Sequence, residues 1–320
     1  MDGYIQWIRQ HVGSQKILVV YATACIVDDA GRLLWQQRSD FGWWGLPGGV
    51  LELDEDLATC AVREAEEETG LQVEVVGLVG VYTSPDYDVK YPNGDEVQQI
   101  TFCFKVRVAG GELRSDPESE TLDLRWLEPG VIPETAPWYR QMALDLFTEL
   151  PNPSFATGSP GHSRSSEPYF QLIRRHIGQE PFIAAVAIAA VFDDVGRLLL
   201  VRRADDGTWT LPGGMVELGE RIDRTVVGEL EEETGLIVEP VRLIGIHSNA
   251  DYVHRFPHGD VVKAASCLFR CRIVGGHLRV DDEEITEARF FTETELPPLT
   301  SRYNKRVATA FNDNHKVIIS

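Results

Sequence analysis

The chain has 320 residues and a formal net charge of −20, from 50 acidic and 30 basic side chains. This length favours two domains, and the negative charge argues against sequence-independent binding to a nucleic-acid backbone. It does not argue against a small phosphorylated substrate, because a bound divalent cation can invert the local field. No apolar run approaches the roughly 18–20 residues of a membrane span, and Met1–Trp7 lacks the features of a signal peptide. Five cysteines without a Cys-x-x-Cys motif predict reduced, mostly buried thiols and a cytoplasmic protein.

The sequence contains an internal repeat at a constant offset of 165 residues. Three pairs of segments show it: Tyr4–His11 with Tyr169–His176, Leu46–Gly49 with Leu211–Gly214, and Glu66–Leu71 with Glu231–Leu236. One residue is lost after about Asp116, so the last part of the repeat has an offset of 164. A repeat of this length is a duplicated domain rather than a solenoid unit. We expect domains at 1–150 and 169–320, joined by a linker at 151–168 that is rich in Pro, Ser and Gly.

Each copy carries the same predicted series of elements. In the first copy these are an N-terminal helix with apolar Ile5, Ile8 and Val12, strands near 17–27 and 32–37, a Gly-rich loop, a helix ended by Gly70, strands near 73–83 and 98–108, and a last helix near 138–149. Strands and helices alternate, and a hairpin lies among them. This order predicts an α/β fold in which helices cover a mixed β-sheet.

The predicted central helix carries three carboxylates on one face. Glu64, Glu67 and Glu68 stand at i, i+3 and i+4, so their side chains project together. Such a group is stable as a solvated acidic face or around a hard divalent cation. Mg²⁺ and Mn²⁺ prefer oxygen ligands, and Gly48 allows the backbone to approach and offer a carbonyl oxygen to the same ion.

Residues 48–71 resemble the sequence motif of the Nudix hydrolase family. Gly49-x5-Glu55-x7-Arg63-Glu64-Ala65-x-Glu67-Glu68-x-Gly70-Leu71 matches the family's Gly-x5-Glu-x7-Arg-Glu-(apolar)-x-Glu-Glu-x-Gly-(apolar) at every position, with Ala65 as the apolar residue. The resemblance implies an α/β/α sandwich that hydrolyses, with Mg²⁺ or Mn²⁺, the pyrophosphate of a nucleoside diphosphate linked to another moiety. It further implies that Glu64, Glu67 and Glu68 bind metal, that Glu55 supports the loop and that Arg63 orients the carboxylates. Glu64 is our candidate general base.

The second copy keeps the acidic residues of the motif and loses its arginine. Its acids are Glu220, Glu229, Glu232 and Glu233, its metal-facing glycine is Gly213, and Gly228 takes the place of Arg63. We expect this copy to bind Mg²⁺ and to turn over more slowly than the first. Two alternatives stay open: the second copy senses a nucleotide-like ligand, or it acts as a structural partner in an internal pseudo-dimer.

Aromatic and acidic residues outside the motif are candidates for substrate contacts. Trp44, Tyr87 and Tyr252 are each a candidate pocket residue or a packing residue of the fold. The loop before the last strand offers a further ligand or base in either copy, from Glu118, Glu120, Glu283 or Glu284. The spacing of Pro85 from the motif loosely resembles that of a proline in ADP-ribose and ADP-sugar pyrophosphatases. Ala250 stands at the corresponding position of the second copy.

Overall fold

The computed structural model describes residues 3–115, 121–148, 150–161, 167–256, 259–280, 283–312 and 316–320. The chain divides into two compact units, Met1–Gly161 and His162–Ser320, with the division inside the predicted linker. Part of that segment packs on the first unit, since the Val81 amide donates to the Ser154 carbonyl oxygen at 2.7 Å. The section 162–166 of the predicted linker lies outside the described residues.

The first unit has three helices and eight strands among the described residues. They are α1 Tyr4–Val12, β1 Ile17–Val27, β2 Leu33–Arg38, β3 Trp44–Gly45, β4 Gly48–Val50, α2 Leu57–Thr69, β5 Leu71–Tyr82, β6 Val89–Lys90, β7 Glu96–Gly111, β8 Thr121–Leu127 and α3 Pro137–Phe147. The predicted elements are therefore present in the predicted order.

The first sheet is mixed, as predicted. Strands β1 and β7 run parallel from Ile17 opposite Val97 to Val27 opposite Arg107, and β5 is antiparallel to β7. Strand β1 is nearly all apolar and almost wholly buried, because elements pack on both of its faces. Strand β2 pairs with β8 and β3 at the other side of the sheet, and α2 packs against β1, β4 and β5.

Helix α2 ends at the predicted Gly70, and a side-chain cap begins it. The Asp56 carboxylate accepts a hydrogen bond from the Thr59 amide at 2.9 Å and caps the first turn. Gly70 adopts a φ of 73° after the last turn, a left-handed conformation that favours glycine. These two signals fix the helix register, and the register sets which face its three carboxylates share.

The second unit repeats this plan. It contains α4 Tyr169–Ile177, β9 Phe182–Val191, β10 Leu198–Arg203, β11 Trp209–Thr210, β12 Gly213–Met215, α5 Ile222–Thr234, β13 Leu236–His247, β14 Val253–Arg255, β15 Val261–Gly276, β16 Ile285–Phe291, α6 Ser301–Phe311 and β17 Ile318–Ile319. Strand β17 lies parallel to the edge of β13. In the first unit Ser154 pairs with Gly80 of β5 in the same way, so both units use the chain after the last helix to extend the sheet.

All five cysteines are free and buried, as the sequence predicts. Within the described part of the chain, no helix is both long and apolar enough to cross a membrane.

Candidate active site

Arg63 is the centre of an ion-pair network on α2. Its Nε and Nη2 atoms donate to Glu55 Oε2 and Oε1 at 3.0 and 2.8 Å. Its Nη1 atom donates to Glu64 Oε1 at 2.7 Å and to Glu67 Oε2 at 3.0 Å. The hydrogen bonds to Glu55 raise the pKa of Arg63 above its ordinary value. Glu55 in turn accepts from the Glu52 amide at 3.0 Å, so the network ties the helix to the loop before it.

Glu68 is the most buried carboxylate of the three. Only 7% of the residue is exposed, and its Oε2 atom accepts from the Gly48 amide at 2.8 Å. Burial, together with the charge of Glu64, raises the pKa of Glu68 to about 8, although the hydrogen bond from Gln36 and the charge of Arg38 act in the opposite direction. A buried carboxylate with a like charge beside it favours a bound proton or a bound cation.

Gly49 leaves room for the Glu64 carboxylate. A Cβ atom on this residue would lie 2.3 Å from Glu64 Oε1, which is inside van der Waals contact. Gly48 has no room for a side chain either, because its Cβ would lie 2.4 Å from the Ala22 carbonyl oxygen. The two glycines therefore let β4 approach both β1 and the acidic face of α2.

The carboxylates fit a divalent cation by their chemistry, although their present rotamers do not form a ligand set. Among the described residues, no three His, Cys, Asp or Glu side chains converge on one point as metal ligands do. In the first unit Arg63 binds both Glu64 and Glu67, while Glu68 accepts from Gly48. An all-oxygen donor set suits a hard cation, and a cation would also neutralise the buried charge of Glu68.

A cavity of about 800 Å³ opens beside the acidic face of α2. Its lining includes Glu64, Glu67 and Glu68, together with six aromatic residues: Tyr21, Phe41, Trp43, Tyr91, Trp138 and Tyr139. The Phe41 and Trp43 rings are stacked with centroids 4.6 Å apart, and Trp138 meets Trp43 edge to face at 6.0 Å. The indole Nε1 atoms of Trp43 and Trp138 are buried and have no hydrogen-bond partner among the described residues.

Two predicted substrate residues of the first domain, Trp44 and Tyr87, lie outside the lining of the cavity. Trp44 is not among the residues that line the cavity, and the Arg125 guanidinium lies over its ring at 4.8 Å. Tyr87 is buried outside the cavity lining, and its carbonyl oxygen accepts from Gln99. The neighbouring Trp43, which precedes strand β3, lines the cavity instead.

Sequence reasoning missed the other aromatic residues of the cavity wall. Trp138 lies on α3, far along the chain from the motif, and only the folded chain brings it to Trp43. Of the predicted loop acids, Glu118 and Glu120 lie outside the described residues, while Glu283 and Glu284 are exposed. Pro85 begins a short 3-10 helix that ends at Tyr87.

The motif of the second unit keeps the backbone features of the first. The Gly213 amide donates to Glu233 Oε2 at 3.1 Å, and a Cβ atom on Gly214 would lie 2.3 Å from Glu229 Oε2. Glu220 instead accepts from the Thr225 hydroxyl at 3.0 Å. Glu229, Glu232 and Glu233 share one face of α5 and, as in the first unit, do not already converge as a ligand set.

The N-terminus of α5 also differs from that of α2. Arg221 replaces the capping aspartate, and it pairs with Asp223 through two contacts of 2.5 and 3.0 Å while both residues stay buried. The helix therefore begins without a side-chain cap and continues through Gly228, which offers no charged contact to the acids.

Comparison with known proteins identifies both units. The NUDIX domain family model matches residues 18–146 and again 181–311. The chain belongs to the Nudix family and carries two Nudix domains, each an α/β/α sandwich with a mixed sheet. It is a pyrophosphohydrolase, an enzyme that acts on phosphorus anhydrides.

Individual relatives match about one domain of this chain. An "ADP-ribose pyrophosphatase" of Methanocaldococcus jannaschii is 37% identical over 124 residues, which is 38% of this chain and 69% of the relative. A "MutT-like protein" of Streptomyces ambofaciens is 37% identical over 125 residues, or 39% of this chain and 73% of the relative. A solved ADP-ribose pyrophosphatase from Streptococcus suis is 26% identical and covers 43% of this chain and 98% of its own, with a TM-score of 0.36.

Proposed function

We propose that the first domain is a Mg²⁺-dependent hydrolase of a nucleoside diphosphate linked to another moiety, with ADP-ribose as the representative substrate. The observation that carries this proposal is the position of Glu64, Glu67 and Glu68 on the rim of a cavity with an aromatic wall. The similarity to the ADP-ribose pyrophosphatase of M. jannaschii supports the choice of ADP-ribose. Mn²⁺ has the same ligand preference and is the alternative metal.

The chain's own groups have distinct parts in this reaction. Glu64, Glu67, Glu68 and the Gly48 carbonyl would hold the cation, which supplies charge neutralisation and lowers the pKa of the attacking water. Arg63 keeps Glu64 and Glu67 on one side of the helix through its own contact with Glu55. Glu64 would accept the proton of that water. Little further covalent chemistry is required, because phosphoryl transfer depends mainly on placement and charge compensation.

The aromatic wall would hold the nucleobase. A base gains about 1–3 kcal/mol by stacking on an aromatic side chain. The free indole N–H groups of Trp43 and Trp138 would donate to acceptor atoms on the base or the ribose. The reacting diphosphate would then lie between this wall and the acidic face of α2.

The test uses the full chain with the second site silenced by Glu232→Gln. In that background Glu67→Gln should lower kcat for ADP-ribose with Mg²⁺ by a factor of about 10²–10⁴. The matched control is Glu66→Gln, an exposed neighbour on another face of the same helix, which should leave kcat within about twofold. Full activity in the Glu67→Gln variant would contradict the assignment.

For the second domain we propose slower hydrolysis of the same class of substrate. Its metal-binding residues would be Glu229, Glu232, Glu233 and Gly213. Nucleotide sensing without turnover is the competing role, and Gly228 is the residue that favours it. We also propose a reducing, cytoplasmic location, which the five free thiols support.

A further inference from the structure

Most of the aromatic wall of the first domain is replaced in the second domain, where only Tyr91 and Tyr139 keep aromatic counterparts, Phe256 and Tyr303. The internal repeat aligns Phe41 with Asp206, Trp43 with Thr208, Val89 with His254, Trp138 with Arg302 and Met142 with Arg306. With Tyr21, which aligns with Val186, four aromatic rings are lost, and two arginines and a histidine are gained. The second domain is also less acidic as a whole, since residues 169–320 carry 18 basic and 23 acidic side chains against 11 and 26 in residues 1–150.

The two new arginines lie on one face of α6. Arg302 and Arg306 stand at i and i+4, a spacing at which like charges destabilise a helix. Arg302 contacts His254 Nδ1 and donates to the Tyr303 hydroxyl at 2.8 Å. Neither arginine forms an ion pair with a carboxylate of the described residues, whereas the nearby Arg203 is paired with Asp205.

Arg306 is buried with part of its guanidinium unsatisfied. The residue is 8% exposed, and its Nη2 atom donates to the Ser266 hydroxyl at 2.7 Å. Its Nε atom has no hydrogen-bond partner among the described residues. The ring of Tyr252, one of the predicted substrate residues, lies 4.8 Å from the guanidinium carbon. Burial lowers the pKa of Arg306 to about 10, because the charged guanidinium is less stable in the protein interior than in water.

Three of these groups stand at positions that line the cavity in the first domain, and Arg306 adjoins them through its hydrogen bond to Ser266, although its counterpart Met142 does not line that cavity. Trp138, Tyr139 and Thr101 line the first cavity, and the repeat places Arg302, Tyr303 and Ser266 at the same positions. His254 is kept neutral, because burial and the charges of Arg302 and Arg203 lower its pKa to about 4. It can therefore accept from Arg302 without adding a third positive charge.

We propose that Arg302 and Arg306 form an anion subsite in the second domain, which takes a phosphate or carboxylate group of the ligand where the first domain takes an aromatic base. A buried guanidinium without a carboxylate is stabilised by a bound oxyanion. The two domains then have different ligands, and the second prefers one with an anionic group in addition to its diphosphate. This inference goes beyond the proposed function and does not depend on catalysis.

The test measures anion binding to the full chain without metal. Inorganic phosphate is titrated in EDTA at constant ionic strength, with succinate in a parallel titration to separate a phosphate subsite from a carboxylate subsite. Arg306→Met and Arg302→Trp, which introduce the residues that the first domain carries, should each weaken binding at least about tenfold. Arg306→Lys should retain most of the affinity. The control Arg272→Met removes an exposed arginine of the same domain and should have no effect.

Two results would overturn the proposal. One is the absence of binding by the unmodified chain for both anions up to about 10 mM, the weak limit for a specific site. The other is unchanged affinity in a natively folded variant that carries both substitutions. If either variant fails to fold, the Arg306→Lys and Arg272→Met chains still decide, because weaker binding by Arg272→Met than by Arg306→Lys would show that the anion binds at an arginine outside the proposed subsite. Hydrolysis of ADP-ribose by the first domain plays no part in this readout.

Discussion

Arg63 and Glu55 meet through two N–H···O contacts of 3.0 and 2.8 Å, across eight residues of sequence. This pair joins the loop before α2 to the middle of the helix. In the second unit Gly228 removes the guanidinium, and Glu220 accepts from Thr225 instead. The same acidic motif is therefore held by a charged fork in one domain and by a hydroxyl in the other.

Replacing Arg63 by lysine should lower kcat/KM for ADP-ribose at least about tenfold. Lysine keeps the charge and loses the two-point contact with Glu55, so the carboxylates of Glu64 and Glu67 lose their common partner. A tenfold change in rate corresponds to about 1.4 kcal/mol of activation free energy, which is less than the contribution of one hydrogen bond to a charged group. Arg107→Lys, at an exposed ion pair with Glu74, is the control and should behave as the unmodified chain. Steady-state kinetics in the Glu232→Gln background make the comparison.

Alanine at Gly49 should separate activity from stability. Its Cβ atom would displace the Glu64 carboxylate, which is the free end of a flexible side chain, so the fold should tolerate it. Because the Glu64 carboxylate is displaced, Gly49→Ala should lower kcat at least about tenfold, the size of effect expected when a catalytic group is misplaced. Gly77→Ala is the control, since nothing lies within 4 Å of its Cβ position. If Gly49→Ala left kcat unchanged, the contact with Glu64 would have no catalytic importance.

Arginine at Gly228 should strengthen the second domain. With the first site silenced by Glu67→Gln, the Gly228→Arg substitution should raise the rate of hydrolysis by the second domain about tenfold or more. The reason is that the new guanidinium would bind the acids of α5. Removing a glycine from a helix interior should also add about 1 kcal/mol of stability. Gly228→Ala is the matched control, which gains the helix propensity without the charge. Equal activity of the arginine and alanine variants would show that the guanidinium contributes nothing here.

Removal of the Trp43 ring should raise KM for ADP-ribose with little change in kcat. Loss of base stacking, about 1–3 kcal/mol, predicts a KM that is roughly five- to 150-fold higher for Trp43→Leu. Trp44→Leu is the control at the neighbouring position outside the cavity lining. The opposite ranking of the two variants would favour Trp44 as the substrate residue. Michaelis curves for both variants decide between them.

The second domain should lose stability in acid because of His247. Burial and the nearby charges of Arg306 and Lys305 lower the pKa of this imidazole to about 3, so the folded state holds it neutral. The contribution of His247 to the free energy of unfolding is fully present above about pH 6.5, the pKa of histidine in the unfolded chain. It falls by about 1.4 kcal/mol per pH unit as the pH drops from there towards 3. Calorimetric unfolding between pH 7 and 4.5 should show a steeper loss for the unmodified chain than for His247→Gln. His11→Gln, on the exposed side of α1, should keep the slope of the unmodified chain.

Several features of the fold follow from local sequence. The repeat predicts two domains, and the chain divides into two compact units. The cap at Asp56 and the left-handed Gly70 fix α2 within a residue or two, because capping and backbone sterics act over a few residues. The spacing of Glu64, Glu67 and Glu68 then places the three carboxylates on one helical face without any knowledge of the rest of the chain.

The substrate cavity, by contrast, depends on the tertiary structure. Trp43 and Trp138 meet only because the segment before β3 and helix α3 pack in the same unit, and no local pattern links residues so far apart. The sequence could not decide between Trp43 and Trp44, because only the packing of distant elements determines which of the two adjacent rings meets the cavity. Arg306 likewise looks like an ordinary surface arginine of an amphipathic helix until packing buries it beside Tyr252 and Ser266. Local sequence determined the acidic helix, since helical spacing is a short-range property, and the packing of distant elements decided what that helix faces.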